Sequence, residues 1–399
     1  MQCVILAAGE GSRMRPLTTS RPKVMLPLAG KPMLEHLIQN VRDAGITEIY
    51  LVVGYHEEAI RTWFGDGAAF DVSIQYVVQR KQLGTADALR SVEPFIHDTF
   101  LMLNGDMILD RSDLEKIISL PCPVMATSTT THPESFGVVT VEGETITSLE
   151  EKSLHPKSNI INAGAYLFDA GIFSILKKIA PSSRGEYELT DALTDYIRDR
   201  TLKAYPLSVW MDVGYPWDML TANEHLLLDL TGEKEGTIEE NVIVKGQLIL
   251  GKGSVIKSGT YIEGPCIIGE NTVVGPNAYL RPGTTIGNNC HIGHAVEIKN
   301  SIIFDDTKIP HYNYIGDSVI GSRCNFGAGT KIANLRHDHG AVKVGGMSTG
   351  RKKFGAVIGD DVLFGINCSI NTGSSIGSGT KVAPHTLVKG TIENNTEVR

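Results

Sequence analysis

Two cations, two aspartates and a histidine in this chain stand where their side chains could handle phosphate or acyl chemistry. Arg13 and Lys23 follow a glycine-rich stretch, Leu6-Ala7-Ala8-Gly9-Glu10-Gly11-Ser12, that continues a short apolar run from Cys3 to Leu6. Glycines at the end of a buried strand let the backbone turn sharply. Successive N–H groups in such a turn form a concavity for an anion, and Arg13 and Lys23 add full positive charge to it. Leu6, Ala8, Gly9 and Gly11 are the main-chain positions that a nucleoside triphosphate would approach. The stretch lacks the Gly-Lys-Ser/Thr end of a P-loop, and Met14 replaces the third glycine of the dinucleotide fingerprint. By spacing alone, an ordinary strand-to-loop turn with two exposed cations fits as well.

Asp106 ends a fully apolar run, Phe100 to Leu103 into Asn104-Gly105-Asp106, and Asp212 lies in a similar setting within Val209-Trp210-Met211-Asp212-Val213-Gly214. Magnesium takes oxygen ligands, commonly one or two carboxylates plus substrate phosphates, so this pair is the candidate metal site. Each alone reads equally as a turn or capping residue. Gln79 to Leu89 is a polar loop entering a helix. The amides of Gln79 and Gln82 can match the donor and acceptor edge of a pyrimidine, with Gly84 and Thr85 at the helix start.

The elements that must position these groups alternate, strand then helix, through the first half of the chain. Alternation implies a mostly parallel, Rossmann-like sheet with helices on both faces and ligands at the carboxyl ends of the strands. Two β-rich runs, Phe136 to Val141 and Ile160 to Phe168, are expected as a lid over that sheet. A helical stretch from Pro216 to Leu230 closes the domain, placed at 1–230.

From Ile238 an aliphatic or aromatic residue recurs at every sixth position through Val244, Leu250, Ile256, Ile262, Ile268, Val274, Leu280, Ile286, Ile292 and Ile298 to Phe304. Small or β-branched residues such as Ser254, Thr260, Cys266, Thr272 and Cys290 hold a second position. This is the hexapeptide repeat of a parallel β-helix over residues 236–399. The register is expected to slip at Ile309 and again at Ile320, to break near 333–357, and to resume at Ile358. The excursion carries Arg336, Lys343, Arg351, Lys352 and Lys353, which suits an anionic ligand; a solvated loop is the plainer account.

Length and charge bound the rest. A chain of 399 residues calls for two domains, and a net charge of −8 argues against general nucleic-acid binding. No apolar run is long enough for a membrane span and there is no leader, so a cytoplasmic protein without membrane partners is expected. Six cysteines without a C-x-x-C pair or zinc spacing are expected to be reduced and structural.

The string from the glycine-rich turn through Arg13, Pro16, Thr18 and Lys23 resembles the signature of the sugar-1-phosphate nucleotidylyltransferases. That resemblance implies base reading by the Leu83-Gly84-Thr85 segment and magnesium on Asp106 and Asp212. It also implies a sugar pocket from Gly137, Glu151, Lys152 and Asn162, with Lys152 on the sugar phosphate. The repeat resembles the left-handed triangular type. Its motifs Arg281-Pro282-Gly283, Glu297-Ile298-Lys299, Pro310 to Asp317, and Asn325 to Thr330 followed by Asn334 resemble the acetyltransferase half of the bifunctional UDP-N-acetylglucosamine pyrophosphorylase/glucosamine-1-phosphate acetyltransferases, in what looks like the archaeal form. Carried over, Arg281, Lys299, Tyr314 and Asn325 hold the sugar phosphate, His311 is the base, Asn334 lies beside the reacting amine, and Lys353 is a further anion contact.

The resemblance implies acetyl-CoA as co-substrate, UTP or dTTP as nucleotide, amino-sugar 1-phosphates as acceptors, and a homotrimer or multiple of three. Leu28-Ala29-Gly30-Lys31-Pro32-Met33 and Asp212 are closer to the glucose-1-phosphate thymidylyl or uridylyl branch. Two alternatives therefore stand: a nucleotidylyltransferase whose β-helix only oligomerises or regulates, and a non-catalytic regulatory subunit of the same architecture.

Overall fold

The computed structural model describes residues 1–399, which cluster into two compact units. The first comprises Met1–Glu10, Pro22–Met25 and Met33–Asp212, and the second Gly11–Arg21, Leu26–Pro32 and Val213–Arg399. In chain order the elements are β1 (Gln2–Ala7), β2 (Pro27–Leu28), β3 (Lys31–Pro32), α1 (Met33–Asp43), β4 (Glu48–Val53), α2 (Glu57–Phe64), β5 (Ser73–Val78) and α3 (Thr85–Arg90). There follow β6 (Phe100–Asn104), β7 (Met107–Leu109), α4 (Arg111–Ser119), β8 (Val124–Thr129), β9 (Gly137–Glu142), β10 (Thr145–Glu151), β11 (Ile160–Phe168) and α5 (Ile172–Leu176). Then come α6 (Leu189–Asp199), β12 (Lys203–Pro206), β13 (Trp210–Asp212) and α7 (Pro216–Leu226).

The first unit is built on one sheet in the order β5-β4-β1-β6-β11-β8-β12-β10-β9. Its β5-β4-β1-β6 part is parallel, with Ile5 opposite Leu51 and Leu103. These strands are apolar on both sides because helices cover both faces, as parallel sheets require. Beyond β6 the sheet becomes mixed, since β11 runs antiparallel to both β6 and β8. The expected lid is corrected here: β9 and β11 are members of the sheet. From Ala163 to Phe168 β11 is buried at every position, so neither of its sides can face water and it takes an interior place.

The second unit is a left-handed parallel β-helix whose three faces hold nine, eight and eight strands. The first face runs from Thr237–Ile238 to Glu397–Val398, the second from Ile243–Lys245 to Leu387–Val388, and the third from Leu248–Leu250 to Thr391–Ile392. Ile256, Ile262, Ile268, Ile286, Ile292 and Ile298 are all fully buried in its single core. Each such side chain contributes about 2 kcal/mol by leaving water, so the repeat itself supplies the folding energy. Cys266, Cys290, Cys324 and Cys368 stack into the same core as free thiols.

The first register slip falls one repeat earlier than the sequence spacing suggests. Ile303, not Phe304, stands beside Ile286 and enters the core, because the preceding corner is one residue short. Three consecutive large apolar residues, Ile302-Ile303-Phe304, hide that shortening. Phe304 is left facing outward and is covered by the Arg21 guanidinium, 5.2 Å from the ring centre.

Along one corner, a side-chain oxygen in several turns accepts the N–H of the equivalent residue in the turn before. Asn288 takes Glu270 N, Asp305 takes Asn288 N, Asp360 takes Ser322 N, and Asn394 takes Ser378 N, at 2.7–2.8 Å. The fully buried Asn223 of α7 fastens the β2–β3 hairpin to this unit. Its Oδ1 accepts from Ala29 N and Thr285 Oγ1, and its Nδ2 donates to Gly283 O. No helix is long and apolar enough to cross a membrane.

Candidate functional sites

In the first unit, the carboxyl ends of β1, β4, β5 and β6 come together. Gly105 N donates to Leu6 O at 2.9 Å, Tyr55 N to Ala8 O at 3.2 Å, and the exposed Gln82 Nε2 to Ala8 O at 3.0 Å. A Cβ built on Gly9 meets nothing within 4 Å, so the space over that main chain is open to a ligand. The buried Gln79 donates from Nε2 to Asp87 Oδ2 at 2.9 Å and to Gly84 O at 3.2 Å, which holds its amide within the loop before α3. Gly84, at φ +104°, is required by a backbone crossing: a Cβ there would lie 2.4 Å from Tyr187 O. Thr85 Oγ1 accepts Leu189 N at 3.2 Å.

Lys23 is buried, and its ammonium lies 2.6 Å from Asp106 Oδ2 and 3.9 Å from Asp212 Oδ1. The two carboxylates come from distant stretches but meet because β13 pairs antiparallel with β7, setting Asp212 opposite Met107. The donor set is therefore two carboxylates gathered about one cation, which fits a divalent ion that prefers oxygen and also takes substrate phosphates.

Gly137, Glu151 and Asn162 converge as well. Gly137 pairs with Glu151 across β9 and β10, and a Cβ on it would sit 3.3 Å from Glu151 Oε2 and 3.5 Å from Asn162 Cβ. Asn162 Oδ1 accepts from the Tyr166 hydroxyl at 2.8 Å and from Gly164 N at 3.0 Å, which fixes the amide. Lys152 is exposed at the end of β10, at φ +47°. Arg184, 3.5 Å from Glu151 and 2.7 Å from Glu188, is a charged neighbour that sequence reading missed, because nothing in its local string marks it.

In the second unit, Gly11 adopts φ +69° and its carbonyl accepts from Met14 N and from Thr18 Oγ1. Met14, Leu17 and Thr18 are buried, so the turn is packed from one side, while Arg13 is exposed and stacks on Tyr215 at 5.1 Å.

A second cluster lies on the second face of the β-helix. Arg281 Nη1 meets Glu297 Oε1 at 3.0 Å, and Lys299 Nζ meets Asp317 Oδ2 at 3.1 Å. Asn334 Nδ2 donates to the Tyr314 hydroxyl at 3.2 Å and to Asp317. Burial, with Glu297 and Asp317 nearby, pushes the Tyr314 phenol above its ordinary value. Asp317, only 2% exposed, was passed over in the sequence as the end of a motif, yet its carboxylate joins Lys299, Asn300 and Asn334.

His311 and Asn325 are exposed on the first face, on neighbouring strands, and so are not joined to that cluster within one chain. Beside Asn325 is a cavity of about 640 Å³ lined also by Asn289, Asp306, Lys308, Arg323 and Cys324. His291 on the same face is held below its ordinary pKa chiefly by burial, with smaller contributions from Lys257, His311 and Lys308. Cys324 is 1% exposed and burial pushes its thiol up to about 12, so it is protonated and inert at neutral pH. Lys353 is exposed on the excursion, where its backbone pairs with Leu335.

Comparison with known proteins accounts for both halves. Residues 2–228 match the nucleotidyl transferase family, and residues 262–396 match the GMPPB C-terminal domain family. The chain is 43% identical to the bifunctional protein GlmU of Methanocaldococcus jannaschii over 403 residues, covering 100% of this chain and 97% of that protein. It is 38% identical to a bifunctional sugar-1-phosphate nucleotidylyltransferase/acetyltransferase of Sulfurisphaera tokodaii, covering 97% of each. Among solved structures, a Bacillus anthracis protein provisionally described as a glucose-1-phosphate thymidylyltransferase, in complex with sucrose, aligns with TM-score 0.54 and 33% identity. It covers 59% of this chain and 98% of its own.

Proposed function

The chain belongs to the family of bifunctional sugar-1-phosphate nucleotidylyltransferases/acetyltransferases, and on that premise we propose that it makes UDP-N-acetylglucosamine by two consecutive transfers. Glucosamine 1-phosphate is first N-acetylated from acetyl-CoA, and the product is then joined to UMP from UTP with release of pyrophosphate. Residues 1–230 carry the second reaction and residues 236–399 the first.

For uridylyl transfer the nucleophile is a phosphate oxygen, already mostly ionised because a phosphate monoester has a second pKa of about 6. No general base is needed. The task is in-line positioning and cancellation of charge at the α-phosphate and the leaving pyrophosphate, and we assign it to Lys23 and Arg13. Asp106 and Asp212 would hold a magnesium ion, which would supply further charge neutralisation at those phosphates. The open main chain at Gly9, with Gly11 after it, receives the triphosphate, Gln79, Gln82, Gly84 and Thr85 shape the base site, and Gly137, Glu151, Asn162 and Lys152 hold the sugar phosphate.

For acetyl transfer the nucleophile is an amine that is partly protonated at neutral pH. His311 removes its proton. The amine then attacks the thioester carbonyl, the new N–C bond forms as the C–S bond breaks, and coenzyme A leaves as its thiol. Arg281, Lys299, Tyr314 and Asn325 hold the sugar phosphate, Asn334 lies by the amine, and Lys353 adds a contact to an anionic group. Because Arg281 and Lys299 lie on one face and His311 on another, we place the complete site between neighbouring copies of the chain, in a homotrimer or multiple of three in the cytosol. Light scattering that gave a monomer at micromolar concentration would sink that assembly.

The observation that carries the function is the single match spanning both halves of this chain and of its bifunctional relatives. The test is a panel of glucosamine, N-acetylglucosamine and glucose 1-phosphates crossed with UTP and dTTP, with and without acetyl-CoA. Acetylation of glucosamine 1-phosphate and the highest nucleotidyl kcat/KM with N-acetylglucosamine 1-phosphate and UTP are expected. Turnover of glucose 1-phosphate alone, with no acetyl transfer, would overturn the assignment.

A further inference from the structure

Resting on that assignment of nucleotidyl transfer, we infer that Asp360, deep in the β-helix, is a positioning residue for the N-terminal reaction, acting through Arg21. Asp360 uses its two oxygens differently. Oδ1 accepts Ser322 N at 2.8 Å, the ordinary corner bond that Asn288 and Asn394 make elsewhere in the same ladder. Oδ2 is spare in that scheme. It accepts instead from Arg21 Nη2 at 2.6 Å and from Ser20 Oγ at 2.5 Å.

The ladder takes an amide at Asn288 and Asn394 and a carboxylate at Asp305, so what sets Asp360 apart is its second oxygen, which meets Arg21 at 2.6 Å with Arg323 farther off at 3.8 Å. The Asp360 side chain is 3% exposed and that of Arg21 19%, which removes much of the solvent screening that weakens surface pairs. Arg21 also donates to Ser322 Oγ at 3.3 Å and covers Phe304, so the corners of three successive turns grip one guanidinium. The outward turn of Phe304 follows from the shortened corner described above, so even the register slip contributes to the grip.

What is held matters because of its place in the chain. Arg21 ends the segment Gly11–Arg21, which contains Gly11 and Arg13 and clusters with the β-helix, and it is separated from Lys23 only by the rigid Pro22. An anchored end restricts the conformations open to a glycine-containing loop before its phosphate ligand arrives. Such pre-organisation lowers the barrier without any contact between the anchor and the substrate.

The experiment measures both activities of full-length Asp360→Asn, Arg21→Ala, the double variant and Arg21→Lys. Asparagine is a residue this ladder already uses, so the corner bond to Ser322 is kept and the thermal midpoint should fall only by what the lost Arg21 contact contributes. Expected are a fall of about tenfold in nucleotidyl kcat/KM for Asp360→Asn and for Arg21→Ala, no further fall in the double variant, and recovery to within about threefold of wild type in Arg21→Lys. Acetyl transfer should stay within twofold throughout. Nucleotidyl transfer within twofold of wild type in both single variants would overturn the inference, as would equal loss of both activities, which is the mark of a merely structural role. A wild-type protein inactive in nucleotidyl transfer would instead remove the assignment beneath it, and this inference with it.

Discussion

The Lys299 ammonium rests 3.1 Å from Asp317 Oδ2, and the same carboxylate also accepts from Asn300 and Asn334. One nearly buried acid thus orients a cation and an amide that are far apart in sequence. Asp317→Asn should lower kcat/KM for acetyl transfer about tenfold through a higher KM for the sugar phosphate, and should cost the β-helix about 2 kcal/mol. Nucleotidyl transfer should be unchanged. Steady-state kinetics of both reactions, with urea unfolding, check this.

Lys23 and His311 serve different chemistry and can be separated. Lys23→Ala should reduce pyrophosphate release by at least about a hundredfold, since it removes a buried charge aimed at a phosphate, and leave acetyl transfer intact. His311→Ala should do the reverse, with a loss of roughly 10²–10⁴-fold in acetyl transfer. Chelation of divalent metal should stop only pyrophosphate release. Joint loss in a folded single variant would mean the two sites are coupled.

Gly9 and Gly84 are glycines for different reasons, and alanine distinguishes them. At Gly9 a methyl group meets open space, so Gly9→Ala should keep its thermal midpoint while raising the KM for the nucleotide. At Gly84 the positive φ and the contact with Tyr187 should cost about 1–3 kcal/mol, seen as a lower midpoint. A Gly9→Ala protein with wild-type nucleotide affinity would place the phosphates elsewhere.

How much of this was legible depended on whether the signal was local. The inward column from Leu250 to Ile298 and the apolar strand ends at Leu6 and Leu103 are dictated by short-range pattern, and the structure follows them. Asp317 and Asp360 carry no such mark, because their partners lie on other turns and only three-dimensional stacking makes them neighbours. The lid failed for a related reason: a run buried on both sides looks the same whether it covers a sheet or joins it. At Ile302-Ile303-Phe304 three apolar residues in a row left the spacing rule with no way to choose.

Three core thiols, Cys266, Cys290 and Cys324, are each pushed up to about 12 by burial. In the unfolded chain a thiol loses its proton above about 8.5. Between those values the unfolded state binds fewer protons than the folded one, so stability falls as pH rises through the window and is fully present below it. The loss is about 1.4 kcal/mol per thiol for each pH unit above the unfolded value. The urea midpoint should therefore drop from pH 8 to pH 10.5, and less steeply in Cys324→Ala. Equal slopes in the two proteins would refute the assignment.

Residues 11–21 and 26–32 precede most of the first unit in sequence yet cluster with the β-helix, so the segments of the two units alternate along the chain. A cut near residue 230 would leave the N-terminal fragment carrying two strips of chain and Asn223 stripped of their packing, and the C-terminal fragment with bare patches at Thr285, Phe304 and Asp360. Neither fragment is a portable cassette. Recombination that exchanged whole halves among relatives would have to carry the residues facing those strips along with the exchanged half, so the unit of inheritance is the full chain.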